Sequence, residues 1–286
     1  MIKRKMMKNI LFLAAFASGL FLSGCTEELI YINPASGPTD PVDPGITTRN
    51  VLVEELTGVR CPNCPEGTAT LVDLGQTLGE KLIVVSVHAA IGYDSPYPES
   101  KYDFRTADGT EMANFIGSPI GFPSASVNRR IVPPDADPFL PRTKWAGIIE
   151  EDLAEAPQIG IQLKTAFNAA TRKLDVTADL LPLVDLNGEH RLTVLITEDS
   201  IVDYQKVDLV KVSDYIHRHV LRDALSQATG DVISEPLVVD ATIKKTFSIT
   251  LPAAWKAEHC SVVAFVHHGT TPDKEVLQVV ETHVIK

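Results

Sequence analysis

Cysteine is scarce in this sequence. Only Cys25, Cys61, Cys64 and Cys260 occur, and no second Cys-x-x-Cys or His pair lies near the Cys61–Cys64 pair. Zinc asks for about four ligands in one small unit, so a zinc site there is disfavoured and no metal is assigned. Positive charge is short as well: 26 Lys and Arg face 37 Asp and Glu, a formal net charge of −11. That balance argues against nucleic acid or an anionic membrane surface as the main partner. No apolar run reaches the roughly 20 residues that a membrane-spanning helix needs. There is no internal repeat and no heptad run, which excludes solenoid and coiled-coil architectures.

The apolar run that is present stands at the start. Lys3, Arg4, Lys5 and Lys8 precede a stretch from Ile10 to Leu22, followed by "LSGC". A basic head, a short apolar middle and small residues before a break are the pattern of a secretory signal peptide. "Leu-Ser-Gly-Cys" resembles the lipobox of bacterial lipoproteins, which implies that residues 1–24 are removed and that Cys25 carries the lipid. An ordinary secretory signal with an incidental cysteine is the alternative. Several acyl chains on one residue hold a protein firmly, since each buried CH₂ contributes about 0.8 kcal/mol. Thr26, Glu27 and Glu28 follow, and resemble the acidic signal that exports some lipoproteins to the outer face of the outer membrane; a plain acidic linker reads the same. "NPASGPTDPVDPGITTR", rich in proline, cannot build a core. Residues 25–49 are therefore expected to form an extended tether.

From residue 50 the texture is that of folded domains. "VLVEELTG" reads as a buried strand, "PEGTATLVDLGQTLGE" has helical spacing of Leu71, Leu74 and Leu78, and "KLIVVSVHAA" is a second strand apolar on both faces. Strand, helix and strand in succession make a βαβ unit. A polar, aromatic loop with Tyr93, Tyr97, Tyr102 and Phe104 follows, then a short helix at "EMANFIG", a strand at "GFPSASVNRRIV" and an amphipathic helix carrying Trp145, Ile148, Ile149 and Leu153. Past Pro157 come six strand-like segments with turn signals between them. Such spacing predicts an immunoglobulin-like β-sandwich. The expectation is an α/β domain over 50–156 followed by an all-β domain over 157–286.

The stretch "LTGVRCPNCPEG" admits three readings: a zinc knuckle, a structural staple or a redox pair. A local disulfide closes too small a loop to constrain the unfolded chain much. The redox reading fits the strand-to-helix junction, where amide donors and the helix dipole favour a thiolate at Cys61. Arg60 adds positive charge, and Pro62 suits a first helical turn. With these features the segment resembles a thioredoxin fold. The resemblance implies Cys61 as attacking thiol, Cys64 as buried resolving thiol, and a cis Pro123, after Phe122 in "GFPS", facing the pair. Glu55 falls where many thioredoxins hold a buried acid that takes the proton of the resolving thiol. A glutamate at position 54 or 55 pointing to solvent is the alternative.

The lipobox, the tether, "EELTGVRCPNCP", "FPSASVNR" and "YIHRHVLRDAL" together resemble the outer membrane protein 28-related family of Bacteroidetes-type bacteria. These are lipid-anchored proteins with a thioredoxin-like domain and a β-rich C-terminal domain. The resemblance implies an outer-membrane location but leaves activity open, since both thiol chemistry and adhesion are associated with the family. The chain lacks the tryptophan that ordinary thioredoxins carry before the first cysteine, and it inserts the aromatic loop, which puts a thioredoxin-like substrate range in doubt. Two functions follow. One is thiol–disulfide exchange on envelope or secreted proteins, with Tyr93, Tyr97 and Phe122 lining a substrate groove. The other is surface binding, with a structural Cys61–Cys64 bond. Neither reading calls for a cofactor. His217 and His219 fall on one side of a strand, where packing or capping is the simpler reading than metal, and Cys260 reads as a buried, inert thiol.

Overall fold

Burial patterns along the first two strands explain where the sheet sits. A computed structural model describes residues 48–119, 121–269 and 273–285; the signal segment, Cys25 and nearly all of the tether lie outside them. β1 (Val51–Leu56) and β2 (Leu82–Val87) are buried at every position and pair in parallel, Val53 opposite Val84. Between them runs α1 (Cys64–Leu78). Because side chains alternate across a strand, Val51 and Val53 pack with Leu71, Trp145 and Ile149 on one face, while Leu52 and Leu56 pack with Met112 and Phe265 on the other. Burial on both faces is what a covered parallel pair requires.

The chain continues through α2 (Ala107–Ile116), β3 (Ser124–Val127), the short β4 (Phe139–Pro141) and α3 (Arg142–Leu153). β3 lies antiparallel to β1 and carries β4 on its other side. Thr106 caps α2, its hydroxyl accepting from the Gly109 amide at 2.9 Å.

Ten strands complete the fold: β5 (Ile159–Asn168), β6 (Lys173–Pro182), β7 (His190–Glu198), β8 (Ile201–Val207), β9 (Val210–His217), β10 (Val220–Ala224), β11 (Asp231–Val232), β12 (Ile243–Thr250), β13 (Cys260–His268) and β14 (Val276–His283). They do not form a sandwich of their own. The main sheet runs β14-β13-β7-β10-β2-β1-β3-β4, with β11 beside β7, so it crosses the expected domain boundary without a break. The seam is β10, antiparallel to β7 and joined to β2 through Val220 opposite Ser86. All described residues fall in one compact unit, 44–286.

A second sheet, β12-β6-β5, covers one face of the β7-β13-β14 end. Ile161, Val176 and Leu180 meet Val194, Ile196, Val262 and Ala264 there. The other face of the same strands, with Leu195, Val263, Phe265 and Val279, packs with Leu52, Leu56 and Ile116. An independent immunoglobulin-like domain was expected; instead one layer of the β-rich half is the continuation of the α/β sheet. The physical reason is that β7 and β13 are apolar on both faces, and a free-standing sandwich leaves one face of each strand in water. β8 and β9 form a separate two-stranded sheet, a hairpin outside both layers.

Candidate functional site

The site is built where β1 ends. Chain direction reverses over residues 57–63: the Cys61 amide donates to Gly58 O at 3.0 Å, and the Arg60 amide to Tyr93 O at 2.7 Å. Only glycine fits at position 58, since a Cβ there would sit 2.5 Å from Tyr93 O. Cys61 and Cys64 are joined in a disulfide, their Cα atoms 5.4 Å apart. The helix begins at Cys64, with Asn63 at its N-cap and Pro65 in its first turn. Pro62, expected in that turn, lies in the preceding loop. Both cysteines are buried, each only 1 % exposed.

The two glutamates of β1 are divided by the alternation of the strand. Glu54 and Glu55 are both fully buried, so neither points to solvent. Glu54 falls on the α2 face and pairs with buried Arg129, Nη2 to Oε1 at 2.6 Å and Nε to Oε2 at 2.9 Å. Glu55 falls on the α1 face. Thr68 Oγ1 lies 3.2 Å from both of its carboxylate oxygens, and Ser86 Oγ donates to Oε2 at 3.2 Å. Burial pushes the Glu55 carboxyl up to about 7, against the pull of the Thr68 and Ser86 hydroxyls.

Gly67 brings the helix close enough for this to work. A Cβ there would lie 2.9 Å from Glu55 Oε1 and 2.9 Å from Pro123 Cβ. The Phe122–Pro123 peptide is cis, and Pro123 immediately precedes β3, whose Ser124 pairs with Leu56 at the end of β1. Glu55 and Pro123 thus meet the first turns of the helix that starts at Cys64. A polar cavity of about 10 Å³, room for roughly one water, lies beside Cys64. Thr68, Ser86, His88, Tyr215 and His217 are among its walls.

The aromatic residues divide differently from the expected groove. Tyr93 is 56 % exposed and stands edge-on to Phe122, ring centroids 6.3 Å apart. Tyr97 is a fastening instead. Arg60 lies over its ring at 4.8 Å and Lys211 at 5.2 Å, with Tyr204 beside it. Arg60 is turned into the inserted loop, its guanidinium donating to Ser95 O and Pro96 O, so its charge is spent there.

Residues of the β8–β9 hairpin complete the site and were not legible as part of it. Gln205 Nε2 donates to Cys61 O at 3.1 Å and Gly58 O at 3.2 Å. The Lys206 amide donates to Val59 O, and the Asp208 amide to Pro62 O. His217 packs beside Phe104 and His88, and its Nε2 donates to Tyr204 O at 3.2 Å. Burial pulls His88 down to about 3, helped by neighbouring His217, and pulls His217 down to about 4. Both are neutral packing histidines. His219 turns away to Asp199, 3.6 Å distant. Among the described residues no group of three His, Cys, Asp or Glu side chains is arranged to hold a metal ion. Cys260 opens β13 fully buried, its thiol pushed up to about 12 by burial and the Glu198 charge.

Fold and site together define a protein of mixed α/β class, with a disulfide at a helix N-terminus and, against Gly67 one turn further along that helix, a buried acid and a cis proline. The profile of the family described as "Outer membrane protein Omp28" matches residues 113–286, more than half of the sequence, and the chain belongs to that family. It is accordingly an outer-membrane protein. The match begins after Cys61, Cys64 and Glu55, so membership by itself says nothing of the pair. No curated protein matches the sequence. Among solved structures, HBP35 of Porphyromonas gingivalis is similar over 84 % of this chain and 76 % of its own, with a TM-score of 0.67 and 16 % identity. A structural-genomics protein from Agrobacterium tumefaciens is similar over 82 % of this chain and 95 % of its own, at a TM-score of 0.52 and 15 % identity. A domain of the outer membrane lipoprotein Omp28 from Porphyromonas gingivalis is 22 % identical over 45 % of this chain and 88 % of its own, with a TM-score of 0.33.

Proposed function

We propose that this protein performs thiol–disulfide exchange on envelope or secreted proteins through a thioredoxin-like half formed by residues 50–156, with the β-rich residues 157–286 positioning it. The observation that carries this reading is Glu55: a carboxyl pushed up to about 7, one hydroxyl away from the cavity that Cys64 lines. A structural staple has no use for a proton acceptor there. In the reduced protein, the Cys61 thiolate attacks a substrate disulfide, whose S–S bond breaks as the mixed disulfide forms. Cys64 then gives its proton towards Glu55 and attacks the Cys61 sulfur. The substrate leaves as a thiolate, and two electrons have passed from the pair to the substrate; the reverse sequence oxidises a substrate dithiol. Pro123, with Phe122 and Tyr93 at the exposed side, offers the platform for an extended substrate segment. Tyr97 acts on it only through the loop that it fastens.

The chain would reach such substrates from a lipid anchor at Cys25, after removal of residues 1–24, with residues 25–49 as tether. Cys25→Ser should abolish fatty-acid labelling; persistent labelling in that variant would remove the anchor from the account.

Trapping tests the exchange itself. Cys64→Ser should accumulate mixed disulfides with envelope proteins, and the further change Cys61→Ser should abolish them. If no adducts form, the second reading gains: an adhesin or scaffold with a structural bond, favoured by the deep burial of both cysteines.

A further inference from the structure

Exchange needs an incoming thiolate to reach a sulfur along the S–S axis, yet Cys61 and Cys64 are each 1 % exposed. The backbone of the cysteine loop is covered by the hairpin over 201–217. Gly58, Val59, Cys61 and Pro62 all give their carbonyl oxygens to residues 205–208. We propose that the β8–β9 hairpin is a lid over the Cys61–Cys64 bond, which lifts as a unit to admit a reacting thiol.

Three features fit a lid better than a fixed part of the core. The hairpin belongs to neither of the larger sheets. Its two chain ends lie side by side, Ile201 opposite His217, with left-handed turns just outside them at Ser200 and His219. A pair of adjacent turns can absorb the rotation of a rigid hairpin. Its far end is fastened at the surface, where Tyr97 stands beside Tyr204 under Lys211. Lys211 reaches Glu99 at 2.8 Å, but the two side chains are 39 % and 52 % exposed, and such ion pairs contribute little. Leu209 at the tip is 92 % exposed and packs on nothing. Asp203 is the firmer hold, its carboxylate accepting from the Lys101 and Tyr102 amides at 3.1 and 2.9 Å. Lifting frees these contacts, four loop carbonyls and the packing of Ile201 and His217 on Val59, Phe104 and His88, but it leaves the two main sheets intact, a local opening that costs less than unfolding.

The lid takes its purpose from the exchange reading, but its test does not need an envelope substrate. Oxidised full-length protein is reduced by dithiothreitol: one thiolate breaks the Cys61–Cys64 bond to form a mixed disulfide, and the second closes the cyclic disulfide, leaving two protein thiols. The reduction rate should rise with dithiothreitol and then level off at the rate of opening, with the same ceiling for glutathione. The Lys206 and Asp208 amides should exchange hydrogen at the matching rate, faster than those of β1. Gln205→Ala, which removes the hold on Gly58 O and Cys61 O, should raise the ceiling about tenfold, the effect of losing one or two net hydrogen bonds. If that variant does not fold, Lys211→Ala should raise it about twofold, in keeping with an exposed ion pair. A rate that stays proportional to dithiothreitol throughout, or a ceiling equal to the global unfolding rate, overturns the lid. A ceiling without mixed disulfides in Cys64→Ser would keep the lid and overturn the exchange reading alone.

Discussion

Two adjacent glutamates with opposite duties make the residue scale the most testable. Glu55→Gln keeps the shape but removes the proton acceptor, so resolution of the mixed disulfide should slow about 10²-fold while its formation changes little. Glu54→Gln should do the reverse: it leaves buried Arg129 without its carboxylate and should cost about 3–5 kcal/mol of stability, read by urea unfolding. Equal kinetic effects at both positions would mean that neither is a dedicated acceptor. Acidity offers a second handle. Glu55, raised from 4.5 to about 7, contributes stability that is full below about 4.5 and lost as pH rises through 7. His88 and His217, lowered to about 3 and about 4, contribute stability that is full above about 6.5 and lost as pH falls towards those values. The unfolding free energy of Glu55→Gln should therefore gain on that of the unaltered protein from pH 5 to pH 8, by an amount on the order of 3 kcal/mol. A constant difference would contradict the raised carboxyl. The burial of Glu55 was expected from the resemblance to thioredoxins, and it is buried. The burial of Glu54 was not, because its partner Arg129 lies far along the sequence.

At the scale of elements, α1 is held to the sheet by the smallness of one residue. Cys64, Gly67 and Leu71 form its buried stripe, and any side chain at 67 would press on Pro123 and Glu55. Gly67→Ala should cost about 1–3 kcal/mol, as overpacking does. Gly75→Ala, with open space around it on the same helix, should gain about 0.5–1 kcal/mol. Thermal melts of the two variants must move in opposite directions. The β1-α1-β2 unit and β5, β6, β7, β12, β13 and β14 were readable from alternation and turn signals. β8 and β9 were not, because a hairpin with one face in water and the other on a polar loop has no continuous apolar side. "YIHRHV" looked like a pair of ligands on one strand. The turn at His219 separates them, sending His217 inward to Phe104 and His219 outward to Asp199.

The whole molecule differs from its sequence reading in one respect, the sharing of a sheet. Local patterns report that β7 and β13 are apolar on both faces, but they do not report which element covers the second face; here it is the α/β core. Residues 157–286 expressed alone should expose Leu195, Val263, Phe265 and Val279 and aggregate, while the complete chain unfolds in one transition by calorimetry. Two separate transitions, with the fragment folding by itself, would restore an independent second domain. The sharing also bears on function, because the lid over the cysteines comes from the β-rich half and the cysteines from the α/β half. Neither half has the whole site. The account's central claim, that Cys61 is an activated thiol, is met most directly by the pH dependence of its alkylation rate in reduced Cys64→Ser protein. Placement near a helix N-terminus predicts a midpoint well below the ordinary 8.5. A midpoint at or above that value would contradict the claim and leave the Cys61–Cys64 bond a structural one.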